Sequence, residues 1–293
     1  CGGYTWACKN NSIWSSVDTF NKLLKLKKFS YLQETKIIKF KEENKKVTCD
    51  LLTNGGLTKQ KFDKVFVGSG PVATSILCIN SDFTKKVTFQ SSDLLQVPYF
   101  KFKTQEKKKT SFADIFVYDK KNRFYLQIYF YSKSVMKLAE NIIRFINLDK
   151  IIPNQILNFF GGIFIYLDSS FSSTFSIEKR GQEIELNLEK ESIEQSKILK
   201  EISKNLRKSG FFLISFLKNK SRYGQSYHFG SQFPHSHDMS GNKTDFLGRL
   251  NNMNNIHIID SSVLPNVNNG PITNIIMANS YRITEESLKK TND

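Results

Sequence analysis

The chain has 293 residues, 39% hydrophobic and 13% aromatic, with a formal net charge of +16. That length and apolar content exclude a disordered chain, and no uninterrupted apolar run reaches the roughly 20 residues of a membrane-spanning helix. The charge alone does not establish a nucleic-acid partner, because only seven of the 43 basic residues are arginine, the residue that bidentate contacts to phosphates and base edges favour.

The first segment opens on "CGGYTWACKNNS" and continues into an amphipathic helix in which Val17, Phe20 and Leu24 share a face. "KIIKFK" and "KVTCDLL" then flank "EENKK" as a hairpin, and "TNGGLTKQ" carries the chain to the compact apolar strand of "KVFVGSG". A helix follows in "PVATSILCIN", opening on Pro71, whose missing N–H has no partner to lose in a first helical turn.

Residues 86–220 differ in texture. The alternating runs "KVTFQ", "FADIFVY", "RFYLQIYFY" and "EIELNL" predict a broad, mostly antiparallel sheet, interrupted by helices around 134–147 and 192–208. The second helix places Ile198, Ile202 and Leu206 on one face. Within this stretch "QEKKKT" reads as a solvated loop. From about residue 221 the chain becomes rich in Gly, His, Asn and Ser, and all four histidines lie there, at 228, 235, 237 and 257. The cysteines at 1, 8, 49 and 78 form neither a dense disulfide framework nor paired CxxC knuckles, so a reducing, cytoplasmic setting is expected. Because the sequence begins with Cys1 rather than methionine, its true start is expected upstream.

Three stretches carry chemistry. In "KVFVGSGPVATSIL" a strand ends in Gly68-x-Gly70-Pro71 and enters a helix, so a ligand can approach the backbone and the first-turn amides. The same pattern also serves as an ordinary strand-to-helix turn. In "SYHFGSQFPHSHDMSG" the imidazole of His228 is suited to proton transfer near neutral pH, and equally to structural hydrogen bonding. His235, His237 and Asp238 have the residue types of a metal-dependent hydrolase but lack further ligands nearby. In "NIHIIDSSVLPNVNNGPITNIIMANSYRI" Asp260 closes an apolar strand, and Gly270 and Pro271 start a helix whose amides around Ile272, Thr273 and Asn274 have no intrahelical acceptors. Their field is positive and favours a group that is, or becomes, negative.

Taken in this order, "VFVGSGPVATSILCINS", "SYHFGS" and "NIHIIDSSVLPNVNNGPITNIIMANSYRI" resemble the signatures of the glucose-methanol-choline (GMC) oxidoreductases. "CGGYTWACKNNSIWSS" resembles the family's upstream cysteine-containing stretch, with Tyr4 where some relatives carry another cysteine. The resemblance spans both ends of the chain and not its middle. It implies an α/β (α+β) fold: a partial FAD-binding, Rossmann-like domain from 1–85 and 221–293, with a mostly antiparallel substrate domain inserted over 86–220.

The family's amino-terminal GxGxxG unit is absent, which again implies a truncated chain. By resemblance the cofactor is FAD, with Thr35, Gly68 and Gly70 toward its nucleotide side, Asp260 along the ribityl and phosphate portion, and Gly270, Pro271, Ile272 and Thr273 facing the flavin ring. His228 matches the catalytic base for an alcohol or sugar, with an unspecified electron acceptor. The family's second catalytic position, the residue before the proline, is Gly270 here. Asn269 is the expected partner, with Asn274 the other candidate. The competing readings are a non-catalytic basic protein that binds an anionic polymer or membrane surface, and the metal-dependent hydrolase.

Overall fold

The first strands are set by alternation and by turns that only a few residue types tolerate. Strands β1 (Lys36–Glu43), β2 (Lys46–Thr53) and β3 (Gly56–Phe62) form an antiparallel sheet in that order. The β1–β2 turn holds Asn44 and Lys45 at φ 51° and 61°, the left-handed conformation that matches strand twist in a two-residue hairpin. Phe40, Val47, Cys49 and Leu51 point into the core, whereas β3 is almost wholly exposed and rich in lysine. This computed structural model describes residues 14–103, 113–131, 154–220 and 228–289. The cysteine-containing opening, the "QEKKKT" loop and the helix expected around 134–147 lie outside the described residues.

After β3 comes the short strand β4 (Val65–Val67), then helix α2 (Pro71–Asn80), matching the expected strand, glycine turn and helix. An earlier helix, α1 (Ser16–Leu23), begins at a capping box made by Ser15 and Asp18. β4 pairs in parallel with β15 (Ile256–Ile258), in the register Val65–Ile256, Phe66–His257 and Val67–Ile258. Residues almost 200 positions apart therefore form one strand pair.

Between these strands the chain is mostly antiparallel, as expected, but it forms two sheets rather than one. A four-stranded sheet has the order β11 (Glu183–Lys190), β10 (Thr174–Arg180), β5 (Lys86–Ser92) and β14 (His228–Gly230). A six-stranded sheet runs β12 (Phe211–Leu213), β6 (Leu94–Lys101), β9 (Phe160–Leu167), β8 (Phe124–Phe130) and β7 (Ile115–Tyr118), with β13 (Asn219–Lys220) also on β6. The chain changes sheet at Asp93. Its buried carboxylate accepts from the backbone N–H of Ser173 (3.1 Å) and from the hydroxyls of Ser173 (2.8 Å) and Ser91 (3.0 Å), and it lies 3.3 Å from the Lys220 ammonium. A charged corner of this kind fixes where one sheet ends and the next begins, because the buried carboxylate must keep its donors.

The two cores follow the same division. One gathers Phe40, Val67, Cys78, Phe89, Phe175 and Ile258, so the four-stranded sheet packs with β4, β15 and α2. The other lies between the six-stranded sheet and helix α4 (Gln195–Lys208), through Leu95, Leu126, Ile163, Ile198 and Ile202. A single turn, α3 (Asn154–Leu157), precedes β9, and the last described element is helix α5 (Thr273–Lys289).

Candidate functional site

The carboxyl ends of the parallel strands β4 and β15 lie side by side, and each leads into one of the polar motifs. After β4, Gly70 adopts φ 84°, a conformation that side-chain-bearing residues rarely take, and this turns the chain sharply into α2. After β15, Asp260 is buried and accepts hydrogen bonds from the Thr74 hydroxyl of α2 (2.6 Å) and the backbone N–H of Ser262 (2.9 Å). Ser69 Oγ lies 3.0 Å from the same Thr74 hydroxyl. The glycine turn and the Asp260 strand end are thus one hydrogen-bonded unit. Burial, reinforced by the Asp260 charge, pushes the Cys78 thiol well above its usual range, so it stays protonated.

A cavity of about 410 Å³ opens against this unit, lined by Thr35, Ile38, Val67, Gly68, Ser69 and Ala73 among others. Its volume falls within the roughly 300–1000 Å³ of small-molecule and cofactor sites, and its position at the carboxyl ends of parallel strands is where α/β sheets place ligands. Thr35 and Gly68, 33 positions apart, share this wall.

His228 begins β14 and pairs with Ser92 of β5. Its ring stacks on Tyr166 of the six-stranded sheet at 5.5 Å, so it stands where the two sheets meet. Tyr166 stacks in turn on Tyr125 (6.0 Å) and Tyr125 on Tyr118 (4.7 Å), an aromatic ladder leading toward the imidazole. Burial lowers the His228 pKa, which keeps the ring neutral and able to accept a proton at pH 7.

The strand carrying His228 is held against the Asp260 segment. Ser231 N–H donates to the Ser261 carbonyl (3.0 Å), Phe233 N–H to that of Ser262 (2.9 Å), and the Ser261 hydroxyl to the Phe229 carbonyl (3.0 Å). Gly230 makes this approach possible, because a Cβ there would collide with the Ser261 carbonyl. Gln232 completes the tie, donating to the Pro71 carbonyl (2.7 Å) and to Ser75 Oγ (3.1 Å) at the start of α2.

The asparagine-rich helix mouth differs in detail from the expectation. α5 begins at Thr273, two residues after Pro271, and its first hydrogen bond runs from Ile276 N–H to the Ile272 carbonyl (3.0 Å). The unpaired first-turn amides are therefore those of Thr273, Asn274 and Ile275. Ile272 is buried, while Ile275 is 45% exposed. Gly270 and Pro271 precede the helix on the surface side, and Asn269 donates its amide to the Asn122 carbonyl in the β7–β8 turn (2.7 Å).

The second histidine cluster is occupied by protein. His235 Nδ1 lies 2.7 Å from the Asp245 carbonyl, and Nε2 lies 3.1 Å from the Asn279 amide. Both ring nitrogens are thereby used, with Nδ1 protonated and Nε2 accepting. His237 leans on Phe246, and Asp238 pairs with Lys243 at 2.8 Å. Among the described residues no group of three or more His, Cys, Asp or Glu side chains is arranged to hold a metal ion.

No protein-family model matches the chain, and no curated protein matches its sequence. Solved structures do match. Pyridoxine 4-oxidase from Mesorbium loti superposes with a TM-score of 0.57 over 86% of this chain, at 12% identity. An FAD-dependent oxidoreductase from Chaetomium thermophilum, solved with a bound fragment, superposes with a TM-score of 0.50 over 89%, also at 12% identity. The chain shares their fold. It spans 57% and 62% of the length of those two proteins.

Several residues of the site were not singled out by sequence reasoning. Thr74 and Gln232 carry hydrogen bonds between motifs, and Tyr166 carries the imidazole stack; none has a local signature, because their partners lie 62 to 186 positions away. Gly230 could have been found. A glycine in a strand pattern marks a close backbone approach, and "HFGS" contains one.

Proposed function

We propose that this chain is part of an FAD-dependent oxidoreductase of the glucose-methanol-choline type that oxidises the CH–OH group of an alcohol or sugar to a carbonyl. The observation that carries the reading is the joining of the three motifs. The glycine turn is bonded through Thr74 to Asp260, and the Asp260 segment is bonded to the strand of His228. Three stretches that resemble separate signatures of one family are thus neighbours in space, on a fold also used by an FAD-dependent oxidoreductase.

The residues fit the cofactor by the chemistry they present. The cavity lined by Thr35, Gly68 and Ser69, at the turn that Gly70 completes, offers apolar walls and accessible backbone for the nucleotide half. Asp260 borders the middle. The mouth that follows Gly270, Pro271 and Ile272 offers the unpaired amides of Thr273, Asn274 and Ile275 to the ring. When bound, FAD supplies the hydride acceptor at flavin N5.

The chain's own residues do the rest. With Nδ1 of His228 buried, Nε2 is the ring atom that takes the hydroxyl proton as the alcohol carbon loses its hydride and the carbonyl forms. The positive end of α5 stabilises negative charge that develops near it. Asn269, its N–H committed to Asn122, offers Oδ1 to orient the substrate hydroxyl. In this organisation residues 1–85 and 221–293 form the partial Rossmann-like domain, and 86–220 the substrate domain.

The test uses the protein expressed from its complete coding sequence. A visible spectrum reports the flavin, and stopped-flow bleaching on addition of alcohols reports its reduction. His228→Ala is expected to slow bleaching by roughly 10²–10⁴-fold while the oxidised spectrum remains. An unchanged rate removes His228 from the mechanism, and a colourless wild-type protein that binds no FAD overturns the proposal.

A further inference from the structure

A second cavity, of about 390 Å³, lies beside α4 and away from the site above. The helix sets Lys200, Ser203, Lys204 and Arg207 three and four residues apart, hence on one face. The turn after β12 supplies Ser215 and Lys218 to the same cavity, and the buried Leu199 also lines it. The lining is one-sided. It presents four cations and several hydroxyls and no carboxylate.

Two other cations on or near this helix are paired. Arg123 bridges Asp119 and Glu201, and Lys197 pairs with Glu194. Among the described residues no carboxylate forms an ion pair with Lys200, Lys204, Arg207 or Lys218, although α4 carries Glu201 one residue from Lys200. Like charges at these spacings each cost the helix a few tenths of a kcal/mol, about the size of the opposite-charge gain. The Arg207 guanidinium rests 6.0 Å from the Phe212 ring centroid, which orients its fork.

We infer that this cavity binds an anion carrying two or more phosphate groups. An Arg fork, lysines and hydroxyls together match the geometry and charge of tetrahedral oxyanions. Seven residues of helix separate Lys200 from Arg207, about 10 Å along the axis, a longer spread than one phosphate covers. The phosphates could be those of a free ligand or of a lipid headgroup. Phe216, 85% exposed on the adjoining turn, is the residue that distinguishes the two sources, since it would meet the bilayer only in the second.

The experiment titrates the protein with inorganic pyrophosphate and tripolyphosphate by calorimetry at physiological ionic strength. In parallel it measures co-sedimentation with phosphatidylcholine vesicles, with and without phosphatidylinositol bisphosphate. The double variant Lys204→Gln/Arg207→Gln is compared with Lys120→Gln/Lys121→Gln, which removes equal charge from the β7–β8 turn. The first pair is expected to lose roughly tenfold or more in affinity and the second almost nothing.

Binding to vesicles that falls with Phe216→Ser assigns the phosphates to a lipid. Binding to pyrophosphate that ignores Phe216→Ser assigns them to a free ligand. Equal losses in the two double variants reduce the effect to diffuse net charge and overturn the inference. So does unaltered binding by Lys204→Gln/Arg207→Gln, which would place the anion at the glycine turn instead. Absence of binding to every probe also overturns it. All the substituted side chains are exposed, and thermal melts verify that each variant folds.

Discussion

Replacing Gly230 by alanine tests the contact that fixes His228. The added Cβ would lie 2.9 Å from the Ser261 carbonyl carbon, 3.0 Å from its Cβ and nearer still to its oxygen. The obstacle is backbone on both sides, so the strands must separate. Overpacking of this kind costs about 1–3 kcal/mol. Separation also weakens the Ser231-to-Ser261 and Ser261-to-Phe229 hydrogen bonds, at about 1 kcal/mol each. The sum is about 3–5 kcal/mol. At roughly 2–4 °C per kcal/mol for a domain of this size, the melting temperature should fall by about 10 °C. Thermal unfolding followed by circular dichroism measures it. Gly270→Ala is the control, because a Cβ there meets nothing within 4 Å. If Gly230→Ala melts within a degree of the wild type, or if Gly270→Ala falls as far, the close-approach argument fails.

Asp260→Ala and Thr74→Val should each lower stability by about 1–3 kcal/mol in urea unfolding. The double variant should cost less than their sum by about 1 kcal/mol or more; strict additivity would show that the 2.6 Å hydrogen bond contributes nothing. His257 is 1% exposed, and burial holds its pKa below the ordinary value, opposed by the Leu247 carbonyl. A depressed folded-state pKa means that the unfolded chain binds the proton first. The stability from the neutral ring is therefore full above about pH 6.5 and is lost as the pH falls below it. The drop in urea midpoint between pH 7.5 and 5.5 should shrink in His257→Asn, and an equal drop in both proteins would rule this out. Arg123→Met removes the fork to Asp119 (2.8 Å) and Glu201 (2.8 Å) and should cost about 1–2 kcal/mol; hydrogen exchange in α4 should quicken, and unchanged protection there would refute it.

The parts of the fold visible beforehand were those set by local rules. The hairpin around Asn44 and Lys45 and the strand, glycine turn and helix from Val65 to Asn80 follow from alternation, turn residues and Pro71 at the helix start. Helix α4 is equally legible, because Ile198 and Ile202 recur at helix spacing and are buried as that spacing requires. β3 reads in sequence as a connection, although Asn54-Gly55 between two runs is a hairpin signal; its exposed, lysine-bearing side chains give an edge strand no apolar pattern. The split into two sheets was not legible, since it depends on Asp93 finding donors about 80 positions away. The same holds at the site. His228 and Asp260 stand out by residue type and place, whereas Thr74 and Tyr166 acquire their roles only from partners that folding brings to them.

The pairing of β4 with β15 has a consequence for biogenesis. A ribosome releases residues 65–67 long before 256–258, so the nascent chain holds an unpartnered apolar strand through almost 200 further additions, on the order of 10–40 s at ordinary elongation rates. During that interval the core that includes Phe40, Val67 and Cys78 lacks Ile256, Ile258, Val263 and Ile283. The core between the six-stranded sheet and α4 takes no residue from that late segment and can consolidate first. Loss of the last quarter would therefore leave a half-built molecule with one settled lobe and one sticky surface, a natural client for chaperones.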